Sequence, residues 1–129
     1  MARMTEEATR TYQLLVLTAW ADGKLHELET RELERLVEAT PLLQGLEPSE
    51  AAGLAREARE LLARVGLSDA LTEIGSKLVH RDSKELAFAA CARVLEADRN
   101  IAWQEFQVLA RLKALFGFDG QDVALLLRR

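Results

Sequence analysis

Two stretches of the chain carry acidic residues at the same spacing. The first reads Ala21-Asp22-Gly23-Lys24-Leu25-His26-Glu27-Leu28-Glu29 and the second Ala97-Asp98-Arg99-Asn100-Ile101-Ala102-Trp103-Gln104-Glu105, with Asp and Glu seven apart in both. Apolar residues match around them: Ala21 with Ala97, Leu25 with Ile101, Leu33 with Leu109, Leu36 with Leu112. If the two hairpins pack about a pseudo-twofold axis, Asp22, Glu29, Asp98 and Glu105 approach one place. Four carboxylates there repel and need a cation or shifted protonation. Oxygen-only ligands favour a hard ion such as Ca²⁺, Mg²⁺ or Mn²⁺. The loops lack the Asp-x-Asp/Asn-x-Asp/Asn-Gly series of an EF-hand. A competing reading needs no ligand. Asp22 and Asp98 accept hydrogen bonds from loop amides, while Glu29 and Glu105, near the third position of the next helix, reach back to its free N–H groups. Both readings stand on the sequence alone.

Other reactive side chains lack partners in the pattern. His26 lies three residues before Glu29, a spacing that can share a helical face, but no second His or Cys is near in sequence. His80 adjoins Arg81 and Asp82; for both histidines a surface position is the simpler reading. No Cys-x-x-Cys, His-Glu-x-x-His, Gly-x-Gly-x-x-Gly or phosphate-loop pattern occurs. Ser68, Ser76 and Ser83 have no supporting nucleophile motif, which leaves a small hydrolase as the least favoured alternative. The one cysteine, Cys91, sits in Phe88-Ala89-Ala90-Cys91-Ala92 and reads as a small buried hydrophobe. Trp20 and Trp103 flank the acidic loops, and large aromatics anchor interfaces, so they mark a candidate partner surface.

Helices must position these residues. Leu (24) and Ala (20) dominate the 129 residues, whereas Val and Ile total 9 and Pro 2; that balance favours helix and excludes an all-β fold. Three- and four-residue apolar steps predict a helix from about Thr5 to Ala21, through Ala8, Tyr12, Leu15, Val16 and Ala19, and a second from Glu27 to Ala39. Leu42 to Leu46 can make one turn. Pro48 opens a third helix that Gly66 ends. Ser68 can cap a fourth, Asp69 to His80, and Asp82 with Glu85 resembles a capping box for a fifth, ending at Ala97. The fifth is apolar around most of its girth and belongs at the centre of a bundle. A sixth spans Trp103 to Phe116, and Asp119 caps a seventh that ends at Leu127. No linker is long enough for a second domain, so residues 1–129 are expected to form one all-α domain.

The net charge of −4 and the interleaving of Arg with Glu, as in Arg56-Glu57-Ala58-Arg59-Glu60, argue against nucleic-acid binding. The apolar run Leu14 to Ala21 is too short to span a bilayer, and Glu6 and Glu7 precede it where a secretory signal is basic. A cytoplasmic protein without membrane insertion is expected. The Leu125-Leu126-Leu127 tail could support a homodimer, although docking on its own bundle is the simpler outcome.

Ala21-Asp22-Gly23 at the end of one helix with Glu29 early in the next, repeated more weakly as Ala97-Asp98 through Glu105, resembles the TerB-like domain family. That family is named for a tellurite-resistance protein and is related to the N-terminal domain of a membrane-anchored DnaJ-type co-chaperone. The resemblance runs from about Thr11 to Leu126. It implies an all-α domain of about seven helices, a component of a stress-response or membrane-associated complex, an acidic metal site and no established catalysis. The second hairpin departs from the pattern: Arg99-Asn100 stands where the first has Gly23-Lys24, placing a cation beside Asp98. The expected function is a non-catalytic binding or scaffold module, in one form a divalent-cation-responsive adaptor and in the other a structural interaction domain without metal.

Overall fold

The computed structural model describes the backbone of residues 6–21, 27–97 and 103–128, and their side chains apart from those of 27–29, 97 and 103–106. Among the described residues the composition yields helices and no strand: α1 (Glu6–Ala19), α2 (Glu27–Ala39), a 3₁₀ turn (Pro41–Leu43), α3 (Pro48–Val65), α4 (Leu67–Gly75), α5 (Arg81–Ala97), α6 (Trp103–Phe116) and α7 (Gly120–Leu127). A contiguous buried cluster draws on every α-helix, from Ala8 and Leu14 through Leu36, Leu61, Leu71, Phe88 and Leu112 to Leu126. Each fully buried Leu or Phe contributes roughly 1.5–3 kcal/mol.

Two helices share the centre. The fifth is there as its sequence predicts, with Ala87–Ala92, Val94 and Leu95 buried. The first reads as one-sided in sequence, yet every residue from Thr11 to Ala19 is buried. Its polar members are accommodated individually. The Thr18 hydroxyl donates to the Leu14 carbonyl at 2.8 Å, and Gln13 Nε2 donates to the Leu54 carbonyl and to Glu57, both at 3.2 Å. Thr and Gln carry enough apolar surface to pack once those bonds are made, so α1 sits between α5, α3, α4 and α2.

The fourth helix departs most from expectation. It begins at Leu67, so Ser68 lies inside its first turn and does not cap it. Gly66 serves as both the end of α3 and the start of α4, at φ 87 and ψ 167, a conformation open essentially to glycine alone. That backbone allows the chain to turn without any connector. The Ser68 hydroxyl instead accepts from Arg111 Nε (2.9 Å) and Nη2 (2.5 Å) on α6. The helix stops at Gly75, short of His80, where a Cβ would meet the tip of the Leu115 side chain of α6 at 2.5 Å.

The fifth helix starts at Arg81, so Asp82 is its first-turn acid and not its cap. The amides just before it are held from elsewhere: Glu7 Oε1 accepts from Val79 N at 3.1 Å and from His80 N at 2.9 Å. The seventh helix begins as its sequence predicts. Asp119 Oδ1 accepts from Asp122 N at 2.8 Å and Asp122 Oδ2 from Asp119 N at 2.9 Å, a complete capping box. Phe118 anchors the approach to α7, meeting Phe88 and Phe116 edge-on at 5.6 and 5.7 Å.

Candidate functional site

Of the candidate ligands, Asp22 and Asp98 lie outside the described residues, as does His26. The side chains of Glu29, Glu105 and Trp103 lie outside them too. The described helices nevertheless fix where each acidic stretch leaves the bundle. Two polar contacts give the register of α1 against α5 and the residue before it. Glu7 accepts from the amide of His80, and the Thr18 side chain lies against the Cys91 thiol. The residue numbers differ by 73 in both pairs, 80 − 7 and 91 − 18. A constant difference means that the helices run in the same direction; antiparallel helices would keep a constant sum. Thr18 is level with Cys91, so Ala19, the last residue of α1, is level with Ala92, and α5 extends five residues further to Ala97, about 7.5 Å of helix. Both helices therefore end on the same side of the molecule, about one and a half turns apart along the axis.

The following helices keep part of the duplication. Leu36 and Leu112, matched in sequence, are both buried, at 4% and 0% exposure, and Leu33 and Leu109 are both partly buried against the core. The partners differ. α2 packs on α1 and α5, whereas α6 packs on α5 and chiefly on α4, which itself lies against α1. A strict twofold would bring α6 against α1 as α2 lies against α5. The outer helices therefore depart from a twofold arrangement, with α4 packed against both α6 and α1.

Trp20 follows α1 and is half-buried, with the Arg59 guanidinium of α3 5.3 Å from its ring centroid. That stacking comes from a residue 39 positions away (59 − 20) and has no local signal in the sequence. Ala21, the next residue, is buried. Trp20 thus ties the last described turn before the first acidic loop to the third helix.

Elsewhere, the reactive side chains have structural partners. Burial pushes the Cys91 thiol up to about 12, opposed by its hydrogen bond with Thr18. Ser68 accepts from Arg111, Ser76 Oγ donates to the Glu73 carbonyl at 3.1 Å, and Ser83 is buried. Among the described residues no three His, Cys, Asp or Glu side chains gather as a metal site, and no helix is long and apolar enough to cross a membrane.

The family model described as tellurite resistance protein TerB matches residues 8–128. The chain belongs to the TerB family. The match starts in the first turns of α1 and ends just past α7, so the TerB domain takes in both hairpins and the intervening α3 and α4. No curated protein and no solved structure matches the chain.

Proposed function

We propose that this TerB domain is a non-catalytic binding module in which Asp22, Glu29, Asp98 and Glu105 hold a hard divalent cation, Ca²⁺, Mg²⁺ or Mn²⁺, and thereby stiffen the end of the bundle that meets a protein partner. The supporting observation is the common register of Glu7 with His80 and Thr18 with Cys91, which sends the ends of α1 and α5 to one side. A cation there offsets repulsion among carboxylates delivered from both helix ends. Trp20 and Trp103, next to those ends in sequence, belong to the proposed partner surface. The family description, tellurite resistance, supports a stress-response setting; in this reading the module works in the cytoplasm beside a membrane-associated partner.

Thermal unfolding after chelation tests the cation. Adding Ca²⁺ or Mn²⁺ should raise Tm, with about 2.7 kcal/mol of stabilisation when free ion is a hundredfold above its Kd. Asp22→Asn should abolish the rise. No shift at millimolar ion overturns the proposal.

A second reading is favoured by Asp119 and Asp122, where this chain already uses two carboxylates to close a helix start without any ligand. By the same physics, Glu29 and Glu105 cap α2 and α6 and the module is purely structural. Glu29→Ala would then lower Tm equally with and without ion, and an unchanged Tm would remove this reading.

A further inference from the structure

Between α1, α2 and α3 runs an open groove of about 420 Å³. Tyr12, Leu33, Val37, Leu46 and Ala51 form its apolar lining. Glu34 and Glu38 stand one helical turn apart along its α2 rim, both exposed. The opposite rim is the start of α3, where Glu47 and Glu50 are exposed on either side of the lining residue Pro48.

Among the described residues some carboxylates of the bundle are paired and others, Glu60, Asp69 and Glu73 among them, are not. Glu6 pairs with Arg10, Glu32 with Arg35, and Glu85 and Asp122 with Arg81. Glu34, Glu38, Glu47 and Glu50 make no ion pair with any described residue. The asymmetry arises on α2 itself: Arg35 faces the cleft toward α5, lined also by Arg93, while Glu34 and Glu38 face α3. Like charges four apart on a helix cost a few tenths of a kcal/mol, roughly 0.2–0.5. Here the like charges border an apolar strip whose Leu33, Val37, Leu46 and Ala51 are partly exposed.

We propose that this groove docks a basic amphipathic helix of a protein partner, its apolar face on Tyr12, Leu33, Val37, Leu46 and Ala51 and its Lys or Arg flanks against Glu34, Glu38, Glu47 and Glu50. An apolar strip bordered by unpaired carboxylates is complementary to that class of ligand. A second copy of this chain fits worse. Its exposed leucines on α7, Leu125 and Leu127, are two residues apart and point to opposite sides of that helix, so they cannot enter one groove together. Leu126 between them is already committed to the core. The proposal deepens the binding-module reading but does not depend on the cation.

The test uses the full, chelator-treated chain, isotope-labelled, with three probe peptides: an amphipathic Leu/Lys helix, the same residues shuffled to destroy its face, and a Leu/Glu helix. The Leu/Lys helix should bind and shift the amide signals of Thr30, Val37, Leu46 and Ala51. Shuffling, or the double variant Glu34→Lys with Glu38→Lys, should weaken binding by about tenfold or more, and the Leu/Glu helix should not bind. Both substitutions are at exposed positions, and an unchanged spectrum elsewhere verifies the fold. Equal binding of the shuffled peptide, shifts centred on other residues, or an unaffected double variant would each overturn the proposal. So would self-association without peptide that Glu34→Lys abolishes, because the groove would then belong to a second copy. Loss of the cation effect with retained peptide binding would remove the metal reading alone.

Discussion

Thr18 and Cys91 meet across the interface of the two central helices, hydroxyl against thiol, with neither exposed to solvent. Thr18 stands one residue before Ala19, where α1 ends, and Cys91 six residues before Ala97, where α5 ends. The contact is therefore close to the departure of both acidic stretches.

Cys91 gives that interface a pH dependence. Its thiol is an acid whose folded value, about 12, lies above the ordinary 9.0. The unfolded chain therefore releases the proton first as pH rises. The stabilisation is fully present below pH 9 and is lost progressively toward 12, at up to about 1.4 kcal/mol per pH unit. Burial raises Tyr12 as well, which acts in the same direction from a higher starting value. Urea unfolding of the chain against Cys91→Ala isolates the cysteine: the alanine variant should lose stability less steeply above pH 9. Native protein should also resist thiol reagents at neutral pH. Parallel pH profiles, or fast labelling of the folded chain, would contradict this account.

Gln13 links the first helix to the third. Its Nε2 donates to Leu54 and Glu57, and its Oε1 accepts from Arg10 Nη1 at 2.8 Å. Gln13→Ala removes those bonds and leaves a void at a site with 1% exposure, so it should cost about 2–4 kcal/mol in urea unfolding. Gln13→Leu keeps the volume and should cost less. An alanine variant as stable as the original would show that α1 and α3 hold together without this residue.

The helix pattern is largely legible in the sequence because its signals are local. Pro48 opens α3, Asp119 caps α7, and the Leu/Ala periodicity outlines α2, α5 and α6. Expectation and structure part where a distant residue supplies what local chemistry offers. Ser68 precedes an acidic turn and reads as a cap, but Gly66 starts the helix and Arg111 takes the hydroxyl. Asp82 reads as a cap as well, but Glu7 holds the neighbouring amides. For the candidate site, the sequence exposes the duplicated Asp and Glu, and the register of α1 on α5 then sends both stretches from one side. The groove of Tyr12, Leu33, Val37 and Leu46 is less legible, since it depends on how three consecutive helices pack and not on the pattern within any one of them.

Thr11 is the converse of Thr18. It is fully buried, and its Oγ1 has no hydrogen-bond partner among the described residues. An unsatisfied buried hydroxyl costs about 1–3 kcal/mol, and an apolar group of the same shape removes that penalty. Thr11→Val should therefore be neutral or stabilising by up to about 1 kcal/mol, whereas Thr18→Val removes a satisfied hydroxyl and should destabilise. Melting curves of the two variants decide it; a lower Tm for Thr11→Val would mean that the hydroxyl has a partner in solution.

Asp119 controls the last helix. Its carboxyl is held below the ordinary carboxylate range chiefly by the Asp122 amide, with Arg81 contributing. A carboxyl with a depressed folded value contributes stability above its unfolded value, and that contribution is lost as pH falls through the folded one. Acidification should thus loosen α7 before the centre of the bundle. Asp119→Ala should reproduce the effect at neutral pH, speeding amide exchange at Val123 and Asp122 while leaving Leu95 and Leu112 protected. Leu126, which docks α7 on the core, would keep the helix near its place, so the change should be local. Uniformly faster exchange across α5 and α6 would instead make the Asp119 cap part of the global fold.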